Sequence, residues 1–297
     1  MTDTPLGYIG IGAMGKPMAI NMRKADLPVV VTDPSDTATS VLAQHGASVA
    51  DSARAVADQA AVVHTCLPSV AVAEAVADEV LGGSAIKYFI NHGTTGSTFS
   101  KFVAEKLAAK GIQYLDAPIS GGVAGSEAGT LAIMCSGSKE AFEAAKPGLE
   151  AMSAQLTFLG EAPGVAQTMK LCNNVLFMCN FAATCETMAL GAKAGLDPQQ
   201  MLDIMNKATG KNFSTENIMS QYVLPRTFDF GGANYILAKD LELWRQETEA
   251  FEVPSYIGNL VRTIYRQMIA EEGAETDATR MALLMERMAG VEMPKSG

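Results

Sequence analysis

The stretch Gly7–Gly15 constrains the fold of this chain more than any other part of its sequence. It reads Gly-Tyr-Ile-Gly-Ile-Gly-Ala-Met-Gly, so a short apolar run leads into Gly10, Gly12 and Gly15 with the spacing G-x-G-x-x-G. A helical pattern begins directly afterwards, at Pro17. Glycine permits a tight turn and a close backbone approach to a pyrophosphate, at which the unpaired N–H groups of the next helix point. The stretch predicts a strand–turn–helix unit that binds a dinucleotide.

A second apolar run strengthens the prediction of a dinucleotide site, because a glycine motif alone is weak evidence. Residues 28–32 read Pro-Val-Val-Val-Thr, and Asp33 follows them about 20 residues after the motif. A carboxylate at this position accepts hydrogen bonds from ribose hydroxyls and repels a 2′-phosphate, and Pro34-Ser35 offers no arginine to bind one. We predict NAD as the cofactor, with NADP as the alternative. An ordinary turn that binds no ligand is the alternative, which this context disfavours.

Length and charge narrow the class of protein. A chain of 297 residues can form two domains, because single cores rarely grow beyond about 250–300 residues. The net charge is −10 and no basic run occurs, which argues against binding to nucleic acid or to an anionic membrane.

The sequence also indicates a compartment. No signal-peptide pattern and no uninterrupted apolar run of about 18–20 residues is found. The five cysteines contain no C-x-x-C pair, which is typical of reduced thiols. We expect a cytoplasmic protein without a membrane span.

Short β-branched runs alternate with amphipathic stretches up to about residue 160. The predicted strands are residues 6–9, 28–32, 61–65, 88–91, 113–116, 132–136 and 156–158. The predicted helices between them are residues 16–24, 37–45, 52–58, 69–80, 97–110 and 139–152. This alternation is typical of a doubly wound parallel sheet, whose ligands bind at the carboxyl ends of the strands.

Strand patterns end after Pro163, and long helical patterns follow. They cover residues 165–194, 198–207, 213–222, 238–251, 254–267 and 277–288. The first is long enough to join two domains. We predict a Rossmann domain over residues 1–162 and an all-helical domain over residues 163–297.

Three segments carry polar or glycine-rich patterns where predicted strands end. Residues 65–68 (Thr-Cys-Leu-Pro) and 91–95 (Asn-His-Gly-Thr-Thr) each follow a strand, where a nicotinamide and its ribose would lie; ordinary connecting loops are the alternative. Residues 116–131 contain Ser120-Gly121-Gly122 and further glycines. The backbone N–H groups of such a loop can converge on a small anion, whereas a flexible surface loop fits poorly between two buried strands.

The predicted joining helix carries a candidate proton-transfer residue. Lys170 and Asn174 are four residues apart and share a helical face beside an apolar stripe. Partial desolvation lowers the pKa of a lysine toward neutrality, which suits acid–base catalysis. A lysine that extends to solvent is the alternative. Lys239-Asp240-Leu241 begins a later helix, where a charged first turn is equally ordinary.

Together these motifs resemble the β-hydroxyacid dehydrogenase family, whose best-known member is 3-hydroxyisobutyrate dehydrogenase. The resemblance covers nearly the whole chain. It depends on the Gly-rich start through Ala19, the Leu67-Pro68 turn, residues 116–131, residues 164–174 and Lys239-Asp240-Leu241.

The resemblance implies an NAD(P)-dependent oxidation of a small β-hydroxyacid to its semialdehyde, without a metal. Lys170 is the implied general acid/base and Asn174 a substrate-orienting partner, while Ser120, Gly121 and Gly122 bind the substrate carboxylate. The cofactor-binding residues are then Gly10, Gly12, Ala13, Met14, Gly15, Asp33, Leu67, Pro68, Thr94 and Lys239. The helical domain contributes to substrate binding and to assembly as a homodimer or homotetramer.

The chain departs from the family pattern in two places. His92-Gly93-Thr94 replaces the usual Ser-Thr, and residues 230–235 (Phe-Gly-Gly-Ala-Asn-Tyr) replace a Pro-Gly-Phe run. Both changes affect the expected substrate. Rival interpretations are a reductase of glyoxylate-like or tartronate-semialdehyde-like, sulfonated-aldehyde or imine substrates, and a non-catalytic dinucleotide-binding module. Lys170 and Asn174 favour hydroxyl–carbonyl chemistry, and His92 is the first alternative for a catalytic base.

Overall fold

A computed structural model describes residues 4–293 of the chain. It divides into two compact units, of which the first extends to Lys170 and the second begins at Leu171. In the described part of the chain all named strands belong to the first unit, and the second is helical. The predicted fold class, a Rossmann sheet followed by helices, is confirmed.

The first unit alternates strands with helices. Its strands are β1 (Leu6–Ile9), β2 (Val29–Thr32), β3 (Ser48–Val49), β4 (Val62–Thr65), β5 (Tyr88–Asn91), β6 (Gln113–Asp116), β7 (Ile119–Ser120), β8 (Leu131–Gly137) and β9 (Ser153–Phe158). Its helices are α1 (Gly15–Lys24), α2 (Asp36–Gln44), α3 (Ala53–Ala57), α4 (Val70–Val80), α5 (Ser97–Ala108), α6 (Gly122–Ala128) and α7 (Lys139–Met152).

A single long helix, α8 (Val165–Lys193), begins in the first unit and ends in the second. The other helices of the second unit are α9 (Pro198–Met205), a π-helix (Ser214–Val223), α10 (Asn234–Ala250), α11 (Tyr256–Glu272), a short 3₁₀ helix (Ala278–Arg280) and α12 (Met281–Ala289).

The sheet has the order β3-β2-β1-β4-β5-β6-β8-β7, with β9 paired to β8. Strands β1 to β6 are parallel, as predicted. However, β8 runs antiparallel to both β6 and β7. An apolar run marks a strand but carries no signal for its direction, so the sequence could not show this reversal. The strand order reverses between β1 and β4, and this point of a doubly wound sheet is where a ligand crevice forms.

Both faces of the sheet are buried, which explains the continuous apolar runs of its strands. Successive residues of a strand point to opposite faces. Accordingly, Tyr8 and Val31 belong to the core on one face, whereas Ile9 and Val30 belong to the core on the other. The carboxyl ends of the parallel strands are therefore held in fixed register.

The segment 116–131 differs from the loop that its glycines predicted. It contains the two-residue strand β7 and the helix α6, which Gly129 follows with φ of 69°. Neither element is long enough to show a period in the sequence, and glycine is a poor helix former. The segment is thus more ordered than expected.

Helix α8 corrects one expectation about membranes. By length and composition alone it could cross a bilayer, although no such apolar stretch was recognised in the sequence. Half of its most apolar window is buried inside the structure. Val175, Met178 and Phe181 of this helix belong to the hydrophobic core of the second unit. This part of α8 is therefore a core helix of the second unit.

Candidate active site

The three glycines of the turn after β1 have two different structural roles. Gly10 has φ of 86°, and a Cβ there would lie 2.5 Å from the carbonyl oxygen of Cys66. A Cβ on Gly15 would lie 2.1 Å from the carbonyl oxygen of Gly10. A Cβ on the exposed Gly12 would meet nothing within 4 Å. Two glycines therefore permit close packing of the backbone, and the third leaves open space of the kind that a pyrophosphate needs.

Asp33 lies beside this turn, as its predicted role requires. Its Oδ2 accepts a hydrogen bond from the Ile11 N–H at 2.8 Å, and its Oδ1 accepts one from the Ser35 N–H at 2.9 Å. A carboxylate oxygen can accept more than one hydrogen bond, so both oxygens retain capacity for ribose hydroxyls. Ala13 is exposed and Met14 half-buried next to Gly12. These residues fit the adenosine and pyrophosphate half of NAD.

The loops after β4 and β5 adjoin the same edge of the sheet. The N–H of Cys66 donates to the Ile9 carbonyl at 2.9 Å, which brings the Leu67-Pro68 turn to the end of β1. In the other loop, the Asn91 Oδ1 accepts from the Gly93 N–H at 3.0 Å, so the chain turns tightly before Thr94. Leu67 and Thr94 are half-buried, and Pro68 is exposed.

The predicted carboxylate-binding segment is bonded to the glycine turn. The Ser126 hydroxyl of α6 donates to the Met14 carbonyl at 2.8 Å, and the Asn21 side chain donates to the Ser126 carbonyl at 2.7 Å. Ser120 ends β7, and Gly121 and Gly122 have φ of 132° and 63°. The backbone turns sharply at these glycines, for which residues with a Cβ are poorly suited.

Asp116 is bonded to the start of α8, and the sequence indicated it only as the start of a loop. It is fully buried at the end of β6 and accepts hydrogen bonds from the Ser100 hydroxyl, the Tyr114 hydroxyl, the Gln167 side chain and the Gly164 N–H, at 2.7–2.9 Å. Burial raises the pKa of Asp116, and these hydrogen bonds oppose that rise. A lone acid at the end of a buried strand was the available signal.

Lys170 lies one helical turn beyond Gln167 on α8. Its side chain is only 8% exposed, so the alternative of a solvent-extended lysine does not describe it. The first turn of α8 is held by Asp116 and by Ser136, whose hydroxyl oxygen accepts from the Ala166 N–H at 2.8 Å. The desolvated position expected for an acid–base lysine is therefore present.

His92 does not suit the role of alternative base. Its Nδ1 lies 2.9 Å from the Ala117 carbonyl oxygen, and its Nε2 lies 2.9 Å from Nδ1 of His64. Both rings are buried, and burial lowers the pKa of His92 to about 4. Because both ring nitrogens are bonded inside the fold, His92 has none to offer a substrate.

The remaining predicted residues belong to the second unit. The Asn174 side chain donates to Asp240 Oδ2 at 2.7 Å, and the Lys239 ammonium lies 2.9 Å from Asp240 Oδ1. Asp240 is buried and was named in the sequence only as part of a motif. Its carboxylate therefore contacts both predicted residues, Asn174 and Lys239. Between residues 4 and 293, no group of three or more histidine, cysteine, aspartate or glutamate side chains could hold a metal ion.

Comparison with known families covers both parts of the chain. Residues 5–160 match the NAD-binding domain of 6-phosphogluconate dehydrogenase. Residues 164–285 match the family described as NAD-binding of NADP-dependent 3-hydroxyisobutyrate dehydrogenase.

Individual relatives match over nearly their full length. The chain is 32% identical to 2-(hydroxymethyl)glutarate dehydrogenase of Eubacterium barkeri, over 97% of each chain. It is 34% identical to an NAD-dependent L-serine dehydrogenase of Pseudomonas aeruginosa, over 96% of this chain and 99% of that protein. A structure of Mycobacterium tuberculosis 3-hydroxyisobutyrate dehydrogenase with L-serine superimposes with a TM-score of 0.87 at 31% identity, over 96% and 99% of the two chains. The protein therefore belongs to the β-hydroxyacid dehydrogenase family of NAD(P)-dependent oxidoreductases, which act on CH–OH groups.

Proposed function

We propose that this enzyme oxidises a small β-hydroxyacid reversibly to its semialdehyde, with Lys170 as the general acid/base. The observation that carries the proposal is the burial of Lys170 on the first turns of α8, which are bonded to the end of β6 within the NAD-binding unit. Such a lysine is desolvated and held in place, and both properties favour proton transfer.

Each residue of the site has a distinct role in this mechanism. The Ser120-Gly121-Gly122 segment binds the substrate carboxylate. Lys170 as a neutral amine accepts the proton of the β-hydroxyl group while the carbinol carbon loses a hydride, and the ammonium returns the proton when the semialdehyde is reduced. Asn174, four residues further along α8, orients the substrate. NAD, when bound at the glycine turn, supplies the hydride acceptor.

The names of the relatives suggest a class of substrate. 2-(Hydroxymethyl)glutarate, L-serine and 3-hydroxyisobutyrate all carry a hydroxymethyl group on the carbon that bears the carboxylate. We infer that this enzyme accepts a member of the same class. A panel of these three acids tests the class, because NADH formed with none of them would contradict it.

We further propose that NAD is preferred to NADP. Asp33 is already bonded to the glycine turn through Ile11 and carries negative charge where a 2′-phosphate would lie. We expect a higher kcat/KM with NAD for the best acid of the panel. Equal or higher kcat/KM with NADP would refute the preference.

The decisive test of the catalytic role is Lys170→Ala. Removal of the proton acceptor should lower kcat by about 10²–10⁴-fold, the usual contribution of acid–base catalysis, with NAD binding retained. In the parent, the oxidation rate should rise with pH to a plateau, because only the neutral amine accepts a proton, and this rise should vanish in the variant.

Lys193→Ala is the matched control, since Lys193 is an exposed lysine in the last turn of the same helix. It should leave kcat and the pH profile unchanged. If Lys170→Ala binds NAD and keeps most of its turnover, Lys170 is not the base.

We also propose that the protein assembles as a homodimer or homotetramer through its second unit. Five apolar side chains near the start of α11 are exposed: Phe251, Val253, Tyr256, Ile257 and Leu260. Tyr256 is 84% exposed, and Leu260 lies one turn further on the same helical face. Exposed apolar patches of this kind mark contact surfaces.

A further inference from the structure

We propose that Gln167 is a positioning residue, which keeps the loop of residues 93–96 in register with Lys170. The proposal rests on the proposed function, in which Lys170 moves the proton and Thr94 of this loop lines the nicotinamide side. Gln167 touches neither substrate nor cofactor in this scheme. It acts through the two segments that it joins.

The Gln167 amide pairs with the loop backbone on both sides of Thr94. Its Nε2 donates to the Gly93 carbonyl at 3.0 Å, and its Oε1 accepts from the Thr95 N–H at 2.9 Å. The side chain is fully buried, so water does not compete for these groups. A paired donor and acceptor restrain the intervening residue more tightly than one hydrogen bond does, so the position of Thr94 follows that of α8.

Asp116 determines which way the amide points. The second N–H of the Gln167 Nε2 donates to Asp116 Oδ1 at 2.9 Å. Because a carboxylate only accepts hydrogen bonds, the nitrogen end must face Asp116, and the oxygen end is left for the Thr95 N–H. Ser100 and Tyr114 donate to the same carboxylate, which holds it in place. Both donors and the acceptor of the Gln167 amide are thus bonded inside the fold.

Lys170 is linked to this arrangement through the helix. Residues three apart on a helix are neighbours on its surface, so Lys170 lies next to Gln167 on the same face. The same turn is also held to β8, since the Ala166 N–H donates to Ser136. Loss of the Gln167 amide should therefore leave the turn in place and release the loop. The Gly93 carbonyl and the Thr95 N–H also lose their partner, so we expect a lower thermal midpoint together with the loss of alignment.

Gln167→Met tests this inference, because methionine has a similar length and no amide. A misplacement of about 1 Å can cost about 100-fold in rate, so we expect kcat to fall by about 10- to 100-fold. NAD affinity should change by less than about threefold, since the glycine turn and Asp33 are untouched. The primary isotope effect on kcat with substrate deuterated at the carbinol carbon should increase, because hydride transfer becomes the slow step. Gln167→Asn, which retains an amide but is one methylene shorter, provides the same kinetic test if the methionine variant does not fold.

Ser138→Ala is the matched control. It removes the hydroxyl that caps α7 by accepting from the Ala141 N–H at 3.1 Å, and it leaves α8 and the loop contact intact. It should lower the thermal midpoint while kcat and the isotope effect stay at the parental values. Equal loss of kcat in Ser138→Ala and Gln167→Met would overturn the inference, because a general loss of stability would then explain both.

The outcomes also separate this inference from the proposed function. If the parent oxidises no acid of the panel, or Lys170→Ala retains turnover, the proposed function fails. If the parent is active and Lys170→Ala is not, but Gln167→Met has parental kcat and isotope effect, only the positioning role fails.

Discussion

Acidification should destabilise this protein through a buried pair of histidines, of which His64 lies on β4 and His92 directly follows β5. The Ala117 carbonyl can only accept a hydrogen bond, so His92 must carry its proton on Nδ1 and donate it there. In neutral His92 the Nε2 is then an acceptor, and His64 must donate from its own Nδ1. The Nε2 of His64 is left without a hydrogen-bond partner among residues 4–293. If either ring accepted a proton, a positive charge would lie in the core, and the other histidine could not compensate it.

The magnitude follows from the pKa values. Burial lowers the pKa of His92 to about 4, from 6.5 in the unfolded chain. A histidine with a lowered native pKa stabilises the fold above pH 6.5, and this contribution is lost as the pH falls toward the native value. Between pH 7 and pH 5, His92 alone should reduce the free energy of unfolding by about 2 kcal/mol. Burial and the neighbouring His92 also lower the pKa of His64, which adds in the same direction.

Urea unfolding followed by circular dichroism at pH 7 and pH 5 measures this loss. In His92→Gln the difference between the two pH values should be about 2 kcal/mol smaller than in the parent. The chain has one other histidine outside the pair, the exposed His45, and His45→Gln should retain the parental difference. Burial raises the pKa of Asp116, which acts in the opposite direction but equally in every variant. Equal pH dependence in the parent and in His92→Gln would refute the reasoning.

Three further predictions concern binding and assembly. In Gly15→Ala the new methyl group would lie 2.1 Å from a backbone oxygen of the glycine turn, so we expect NAD binding to be lost, as measured by calorimetry. Ser120→Ala should weaken substrate binding by about 1–3 kcal/mol, seen as a raised KM, with NAD affinity unchanged; a parental KM would contradict the carboxylate-binding role. The double variant Tyr256→Ser, Leu260→Ser should lower the mass measured by light scattering, whereas a monomeric parent would refute the proposed assembly surface.

The sequence by itself determined the cofactor half of the first unit. Gly10 and Gly15 are required by contacts within a single strand–turn–helix unit, and such short-range requirements are visible as spacing. The parallel strands were visible for a related reason: a strand buried on both faces must be apolar throughout. Asp33 could be assigned to the glycine turn because the strand–turn–helix unit that separates them has a regular length.

Only the tertiary structure decided how the predicted catalytic residues are held. Asp116 and Gln167 are far apart in the chain, and nothing in either local segment shows that the end of β6 meets the first turn of α8. The same holds for His92, which resembled a candidate base until the structure placed His64 and Ala117 against its two nitrogens. The direction of β8 also depends on its neighbours. Local patterns record whether a residue is buried, whereas a hydrogen-bond partner across the fold is chosen by strand order, register and helix placement, which the whole chain determines together.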